Sequence, residues 1–418
     1  MYFKNGFRWS IITLIAISTI IYYVDRSSVA VMWEGISRDT GLTKEDYAAI
    51  VSVFMVAYAV GQALSGRLFD KLGTRLGFAL CCVVWVFSCG FLSLVRSALQ
   101  LGTMRALLGV SEAGNWPGAA KANAEWFPRQ ERALAQGIFN AGASLGAVIS
   151  APLVALLYVH FGWRAAYVVI AAAALLWLVP WWIFARATPG KHPWVSEQER
   201  AYILEGAQPA PSVPGMSWGQ ALSHRQTWAV VISRFFLDPI WWLFINWLPI
   251  MLSERFGFSV KQIGAFAWVP YVGAVIGSLS GGWYSGWRIR RGWSVDKARK
   301  QAILIGGILI VPGFAASAFA TTPMPAVLAM ALVLCGFQFA INNIQTLPSD
   351  YYAGKSVGTV AGIGGMGAVA GVLVFGTWLV PFLSKLSYVP VFILGALLVP
   401  LGIGAVFLLG GRIQRLDT

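Results

Sequence analysis

Six ionisable residues stand inside otherwise apolar stretches of this sequence: Asp25, Arg26, Arg105, Glu112, Arg234 and Asp238. Their formal charges sum to zero. A charge in an apolar interior is costly unless paired or hydrated, so each of these residues is a functional candidate. An arginine offers a planar fork that matches a carboxylate or phosphate. A carboxylate beside it can exchange a proton, because burial favours the neutral carboxyl and a nearby arginine favours the charged form. The set therefore suits binding an anion and carrying a proton. A monoanion brought into a neutral cavity leaves it at −1, and one proton on Asp25 or Glu112 restores neutrality.

Spacing refines the roles. Arg105 and Glu112 are two helical turns apart and face one side, whereas the neighbours Asp25 and Arg26 diverge by about 100°. Arg26 is placed to meet the anion, and Asp25 and Glu112 are the proton-coupling candidates. The competing reading is static ion pairs, which gain little stability when buried. Arg234 and Asp238 form an i,i+4 pair that suits either a structural pair or a ligand contact. Neutral groups could hold a hydroxylated ligand: Tyr58 and Gln62 share a helix face, as do Asn140 and Ser144, and Gln338 and Asn342, with Trp241, Trp242 and Asn246 close together. Taken singly, each also fits packing or an interfacial anchor, since many of the 20 Trp belong to aromatic belts. Taken together, amides and hydroxyls around an arginine suit a small polyol acid. His160, His192 and His224 fall in loops. Cys81, Cys82, Cys89 and Cys335 lie in apolar runs without metal-ligand spacing, so neither disulfide nor metal is expected. The expected cofactor list is empty apart from a co-transported proton.

The elements that position these groups follow from composition. Of 418 residues, 57% are hydrophobic and 11% charged, against about a quarter charged in soluble domains. The apolar residues suffice for twelve membrane-crossing helices of about 20 residues each. Apolar runs place them at 9–32, 47–68, 76–95, 100–122, 132–156, 164–185, 227–252, 262–285, 301–320, 325–346, 357–383 and 388–410. The first follows Lys4 and Arg8 and reads as an uncleaved helix, because Asp25-Arg26 interrupts it and no small-residue cleavage site follows. The expected fold is all-α: an N-terminal six-helix bundle (1–185), a cytoplasmic central loop (186–226) and a C-terminal six-helix bundle (227–418). The loop carries the charged stretch Glu197–Glu205 and the Pro-rich stretch Pro209–Pro214. With both termini cytoplasmic, 21 of the 31 Lys and Arg fall on the cytoplasmic side, seven opposite and three in spans, as the positive-inside rule requires. The net charge of +14 thus reflects a lipid bilayer as partner. No nucleic-acid partner is expected.

The halves echo each other: Gly66–Arg75 after span two corresponds to Gly282–Gly292 after span eight. Two related halves imply alternating access around a central site. In the first loop Asp70 sits with Arg67, Lys71 and Arg75, either as a solvated polar loop or as a latch closing one face, with Asp70 and Arg75 as gating candidates. Gly286 replaces Asp70 in the second copy, so the latch is asymmetric. Small residues four apart (Ala57, Gly61, Ser65; Gly142, Gly146; Gly273, Gly277, Gly281; Gly358, Gly362; Gly367, Gly371) let helices approach closely, and their recurrence in the second and fifth helix of each half suggests a sliding interface. Gly362–Gly367 fits a dinucleotide-loop pattern, but no strand precedes it.

Gly66–Arg75 resembles the signature loop of the major facilitator superfamily. Tyr23–Arg26, Arg105–Glu112, Glu125–Arg132 and Gly162–Arg164 resemble, more narrowly, the anion:cation symporter family of sugar-acid and organic-anion transporters. Arg234–Trp242, Trp247–Pro249, Phe266–Pro270 and Pro348–Asp350 resemble its hexuronate transporters. The resemblance implies proton-coupled import of glucuronate or galacturonate by a monomer in the cell inner membrane. It implies that the residues matching Asp25 and Glu112 carry protons, that those matching Arg26 and Tyr58 contact substrate, and that Arg105 lines the same cavity. Galactonate or glucarate would suit the same framework. An anion exchanger would need the arginines but no titrating carboxylate. A membrane enzyme or receptor is disfavoured: the sequence shows no nucleophile–base set, metal cluster or nucleotide loop.

Overall fold

Eight helices long and apolar enough to cross a membrane stand out in the computed structural model, whose described residues are 6–204, 215–385 and 387–416. Lys4, Glu205 and the Pro209–Pro214 stretch lie outside them. The helices are α1 (Phe7–Thr40), α2 (Lys44–Leu92), α3 (Ala98–Ala113), α4 (Asn115–Trp126), α5 (Arg129–Phe184), α6 (Glu197–Leu204), α7 (Trp218–Ser223) and α8 (Arg225–Phe256). They continue with α9 (Val260–Phe266), α10 (Val269–Arg290), α11 (Val295–Phe319), α12 (Pro323–Gln345), α13 (Leu347–Tyr351), α14 (Val357–Gly371), a π-helical stretch Val372–Leu379, α15 (Val380–Ser384) and α16 (Tyr388–Leu409).

Twelve spans emerge because two of these helices each hold two. α2 turns at Gly73 (φ 77°) and α5 at Gly162 (φ 75°). Positive φ there favours glycine, so each reversal needs almost no loop. Span four divides into α3 and α4 at Gly114, just before Pro117, and span eight into α9 and α10. Starts and stops obey local chemistry. Thr43 and Asp46 form a reciprocal cap at the start of α2, as do Ser259 and Gln262 at α9. Gly41 and Gly257 close α1 and α8 in the left-handed conformation. Along α2 the exposed residues Val53, Val56, Val60 and Leu64, then Leu76, Leu80, Val83 and Phe87, recur every three or four positions, the stripe a helix presents to hydrocarbon.

The chain divides into two compact units. The first holds Met1–Pro128, Leu145–Gly215 and Gly354–Met366, and the second Arg129–Ser144, Met216–Ala353 and Gly367–Thr418. Within the first, α2 packs on α3, with Gly61 against the backbone of Val110 and Gly109 against that of Phe54. Within the second, Gly273, Gly277 and Gly281 of α10 meet Ala331, Cys335 and Phe339 of α12, matching a four-residue ridge to a four-residue ridge. Gly146 meets Tyr23 of α1. The contacts of Gly61, Gly146, Gly273, Gly277 and Gly281 each lie inside one compact unit, and Gly358 and Gly362 meet Gly66 and Gln62 within the first.

After span six the chain makes a 3-10 turn, Pro189–Lys191, before α6. Glu199 is buried and accepts from the backbone N–H of Phe7 (3.1 Å) and Arg8 (3.2 Å) and from Arg8 Nη1 (2.9 Å), satisfying the open first turn of α1. His192, assigned to a loop, is fully buried: Nε2 meets the Phe184 carbonyl at 3.0 Å and Nδ1 accepts from Trp194 N–H at 3.2 Å. Phe7, Trp126 and Trp194 enclose its ring. His160 lies inside α5 and not in a loop, because Gly162 makes the turn there so abrupt.

Candidate functional site

In the first unit, α1 and α3 bring two of the expected charges together. Arg26 Nη2 donates to Glu112 Oε2 at 3.0 Å and Nε to the same oxygen at 3.3 Å. Glu112 is fully buried, and its other oxygen, Oε1, has no hydrogen-bond partner among the described residues. Aromatic faces enclose the guanidinium: its carbon lies 4.8 Å from the Tyr58 ring centre, 5.3 Å from Tyr23 and 5.8 Å from Phe54. Arg105 also lies over Phe54, at 4.5 Å. Its Nε and Nη1 are buried without a partner, although each such donor costs about 1–3 kcal/mol. Two arginines thus lie on one phenylalanine, with two N–H groups and one carboxylate oxygen lacking a hydrogen-bond partner among the described residues. Gln62, four residues after Tyr58, leaves Oε1 unpartnered and packs against Gly365.

Asp25 takes a different direction, as the 100° divergence predicts. It is fully buried and accepts from Trp85 Nε1 (2.9 Å), with Cys89 Sγ at 3.5 Å from its second oxygen. Trp85 was not singled out from sequence, and Cys89 only as a thiol without disulfide or metal spacing. They sit four apart on the second limb of α2, and that i,i+4 polar pair in an apolar run was the available signal.

The second unit gathers the amides. Asn140 Nδ2 donates to Asn342 Oδ1 (2.6 Å) and Gln345 Oε1 (2.7 Å), and Gln136 Nε2 reaches the same Gln345 oxygen at 2.9 Å. Asn342 Nδ2 donates to the Ser278 carbonyl at 2.6 Å, and Ser144 Oγ to the Asn140 carbonyl at 3.1 Å. Asn140 and Asn342 therefore meet and bond each other, tying α5, α10 and α12 together, whereas Ser144 bonds only the backbone of its own helix. Trp242 is half-buried and Asn246 exposed. It is Trp241 that faces inward, edge-on to Tyr271 at 5.7 Å.

The loop residues separate. Asp70 is buried and caps α14: Gly358 N–H reaches Oδ1 at 3.0 Å and Thr359 N–H reaches Oδ2 at 2.6 Å. A carboxylate at a helix N-terminus gains from both the open amides and the dipole. Lys121 Nζ, 3.3 Å from Oδ1, also holds the Gly354 carbonyl. Lys121 rather than Arg75 is thus the cation on Asp70. Arg75 donates to the Arg186 and Trp182 carbonyls (3.1 and 3.4 Å) and stacks on Trp182, closing the C-terminus of α5. At the corresponding position of the second copy, a Cβ on Gly286 would strike the Gln130 carbonyl, so no aspartate fits there. Sequence reading also missed the second unit's buried pair Arg299–Asp350 (2.9 Å), with Arg132 Nη1 at 3.6 Å from the other oxygen. Arg299 had counted only as a loop charge, and Arg132 and Asp350 had entered only as members of the resembling stretches Glu125–Arg132 and Pro348–Asp350.

Two carboxyls outside the spans are shifted in opposite directions. Desolvation raises the Glu125 carboxyl above its ordinary value, opposed by Lys121 and by the Thr74 hydroxyl. On the exposed Asp39 the dominant influence is the Trp163 Nε1–H donor (2.9 Å), which together with Arg164 lowers the carboxyl.

Comparison with known proteins fits this geometry. The chain is 31% identical to the hexuronate transporter of Escherichia coli (strain K12), over 410 residues and 94% of each chain. It is 31% identical to the galacturonate transporter of Dickeya chrysanthemi, over 75% of this chain and 92% of that one. Among solved structures, the proton:xylose symporter XylE superposes with a TM-score of 0.74, covering 98% of this chain and 97% of that one at 14% identity. The sequence profile of the Major Facilitator Superfamily matches residues 15–375, and the chain belongs to that family of membrane transporters.

Proposed function

We propose that this protein is a proton-coupled symporter that imports a sugar-acid anion, a hexuronate foremost, by alternating access. The observation that carries the reading is the Arg26–Glu112 pair, buried, with one carboxylate oxygen unused and the two free donors of Arg105 sharing the Phe54 ring with Arg26. A substrate carboxylate competes with Glu112 for Arg26. Once displaced, Glu112 is a buried carboxylate without its cation, and a proton removes the cost of that charge. Substrate and proton then load together. Asp25, held by Trp85 and Cys89, offers a second protonation site. The curated relatives, named for hexuronate and galacturonate, supply the substrate class.

In this reading Tyr58, Gln62, Asn140, Ser144, Trp242, Asn246 and Asn342 serve substrate binding, and Asp70 and Arg75 serve gating. The amides of the second unit become available only when their mutual hydrogen bonds open. Residues 1–185 and 227–418 act as two six-helix bundles joined by a cytoplasmic loop. The protein works as a monomer in the inner membrane with both termini cytoplasmic. Galactonate or glucarate is the alternative cargo, since carboxylate and hydroxyls are shared.

The test is uptake of labelled glucuronate and galacturonate into proteoliposomes with and without an inward proton gradient. Gradient-driven accumulation is expected. Exchange without accumulation would make the protein an anion exchanger. Absence of flux with both would move the cargo to aldonates and aldarates.

A further inference from the structure

The Arg234–Asp238 pair remains outside the mechanism above. Both residues are buried on α8. Arg234 Nε and Nη2 converge on one carboxylate oxygen, Oδ2, at 3.1 and 2.7 Å. The other, Oδ1, is buried with no hydrogen-bond partner among the described residues. The pair lies within one helix and ties α8 to no neighbour. Its stabilising value is therefore small, while the unused oxygen costs free energy.

The surroundings suit a carbohydrate. Trp241, one turn on from Asp238, packs against Tyr271 of α10 and lies nearly parallel to Phe337 of α12 at 6.2 Å. The residue after Phe337 is Gln338, buried, whose Oε1 is also unpartnered. Both unpartnered atoms, Asp238 Oδ1 and Gln338 Oε1, are acceptors. In the first unit, by contrast, Arg105 contributes unpartnered donors. Acceptors have no use for a carboxylate, and the Arg234 charge is already neutralised. They have use for hydroxyl hydrogens. Pro239, immediately after Asp238, cannot donate to the Phe235 carbonyl, and that carbonyl abuts Gly371 so tightly that a Cβ would collide with it. The backbone at the pair is thus fixed from both sides.

We infer that Asp238 Oδ1, oriented by Arg234 and with Gln338 beside the same aromatic contact, accepts a hydroxyl of the sugar acid and sets the preference for hydroxylated over plain carboxylates. This rests on the sugar-acid reading above and adds to it a group of the second unit that accepts a hydroxyl. The arginine acts as a positioning residue, holding Oδ2 so that Oδ1 faces the ligand.

The experiment is a substrate-by-variant cycle in proteoliposomes. The parent sugar acid and its monodeoxy analogues are each run on wild type, on Asp238→Asn and on the charge-free double variant Arg234→Leu/Asp238→Leu. Asparagine turns its amide oxygen to Arg234 and presents NH2 where the acceptor was, so it removes the function with little change of shape. The double variant guards against an unpaired buried arginine, since apolar replacement of a buried pair is usually tolerated. In wild type one deoxy analogue should lose roughly tenfold or more in uptake efficiency, the worth of one charge-assisted hydrogen bond. Both variants should lower the parent substrate by a similar factor and leave that analogue unchanged. An equal loss for every analogue, or no loss for any, overturns the assignment. Wild-type flux with no sugar acid at all would instead overturn the functional reading on which it rests.

Discussion

Arg26 and Glu112 meet through a single oxygen: Nη2 at 3.0 Å and Nε at 3.3 Å both address Oε2, while Oε1 is buried and unpartnered. A fork that embraces only one oxygen is bound less fully than a two-oxygen partner would bind it. An incoming carboxylate can therefore improve on Glu112, and the exchange needs no further cation. Arg26→Lys keeps the charge but loses the fork. Uptake efficiency should fall by about a hundredfold or more, with protein level and thermal stability close to wild type. Wild-type uptake by this variant would show that charge alone suffices.

Asp70 links the loop after span two to the first turn of α14 through two backbone amides and Lys121. Asp70→Asn places an amide NH2 against backbone N–H groups and removes the charge on the helix dipole. If Asp70 serves gating as proposed, the expected result is slower turnover with substrate affinity in equilibrium binding unchanged within about twofold. Lowered affinity with normal turnover would contradict a gating role.

Burial of His192 in its aromatic cage lowers its pKa below the ordinary histidine value, and its Phe184 hydrogen bond opposes this only in part. The sign follows directly. The docked segment favours neutral imidazole, so its stability is complete above the unfolded value of about 6.5 and declines as pH falls toward the lower folded value. Arg186 adds to the lowering electrostatically, and Arg200 donates to the His192 backbone carbonyl. Amide hydrogen exchange over 189–204 should quicken on acidification from pH 7.5 to pH 5. His192→Phe should flatten that dependence, and a pH-independent profile in wild type would refute the account.

Glu199 closes the first turn of α1 by accepting two backbone amides and the Arg8 guanidinium. Glu199→Ala removes the buried acceptor of two backbone amides and a guanidinium and should cost about 1–3 kcal/mol. Thermal unfolding of the detergent-solubilised protein would register it as a midpoint lowered by several degrees. An unchanged midpoint would mean that the contact is incidental.

The spans were legible because hydrocarbon demands long apolar runs, and each lies within a few residues of its helix. What sequence could not provide was the register between helices. It placed Asp25 and Arg26 in different directions, yet nothing marked Trp85 as the partner of Asp25, because that contact joins residues 60 apart. It grouped Asp70 with Arg75 because they are neighbours in the chain, whereas the fold gives Asp70 to α14 and Lys121, and Arg75 to the end of α5. The Asn140–Asn342 contact joins residues 202 apart in sequence. Pattern within a helix supplied both residues but not their mutual hydrogen bond.

The central claim is that Glu112 carries the proton released or taken up as Arg26 changes partner. The most direct measurement compares two fluxes in proteoliposomes containing Glu112→Gln: accumulation of labelled hexuronate driven by a proton gradient, and exchange of labelled for unlabelled hexuronate without one. Glutamine keeps an acceptor for Arg26 but cannot titrate. Accumulation should vanish while exchange persists at a substantial fraction of the wild-type rate. Gradient-driven accumulation by the variant would contradict the account.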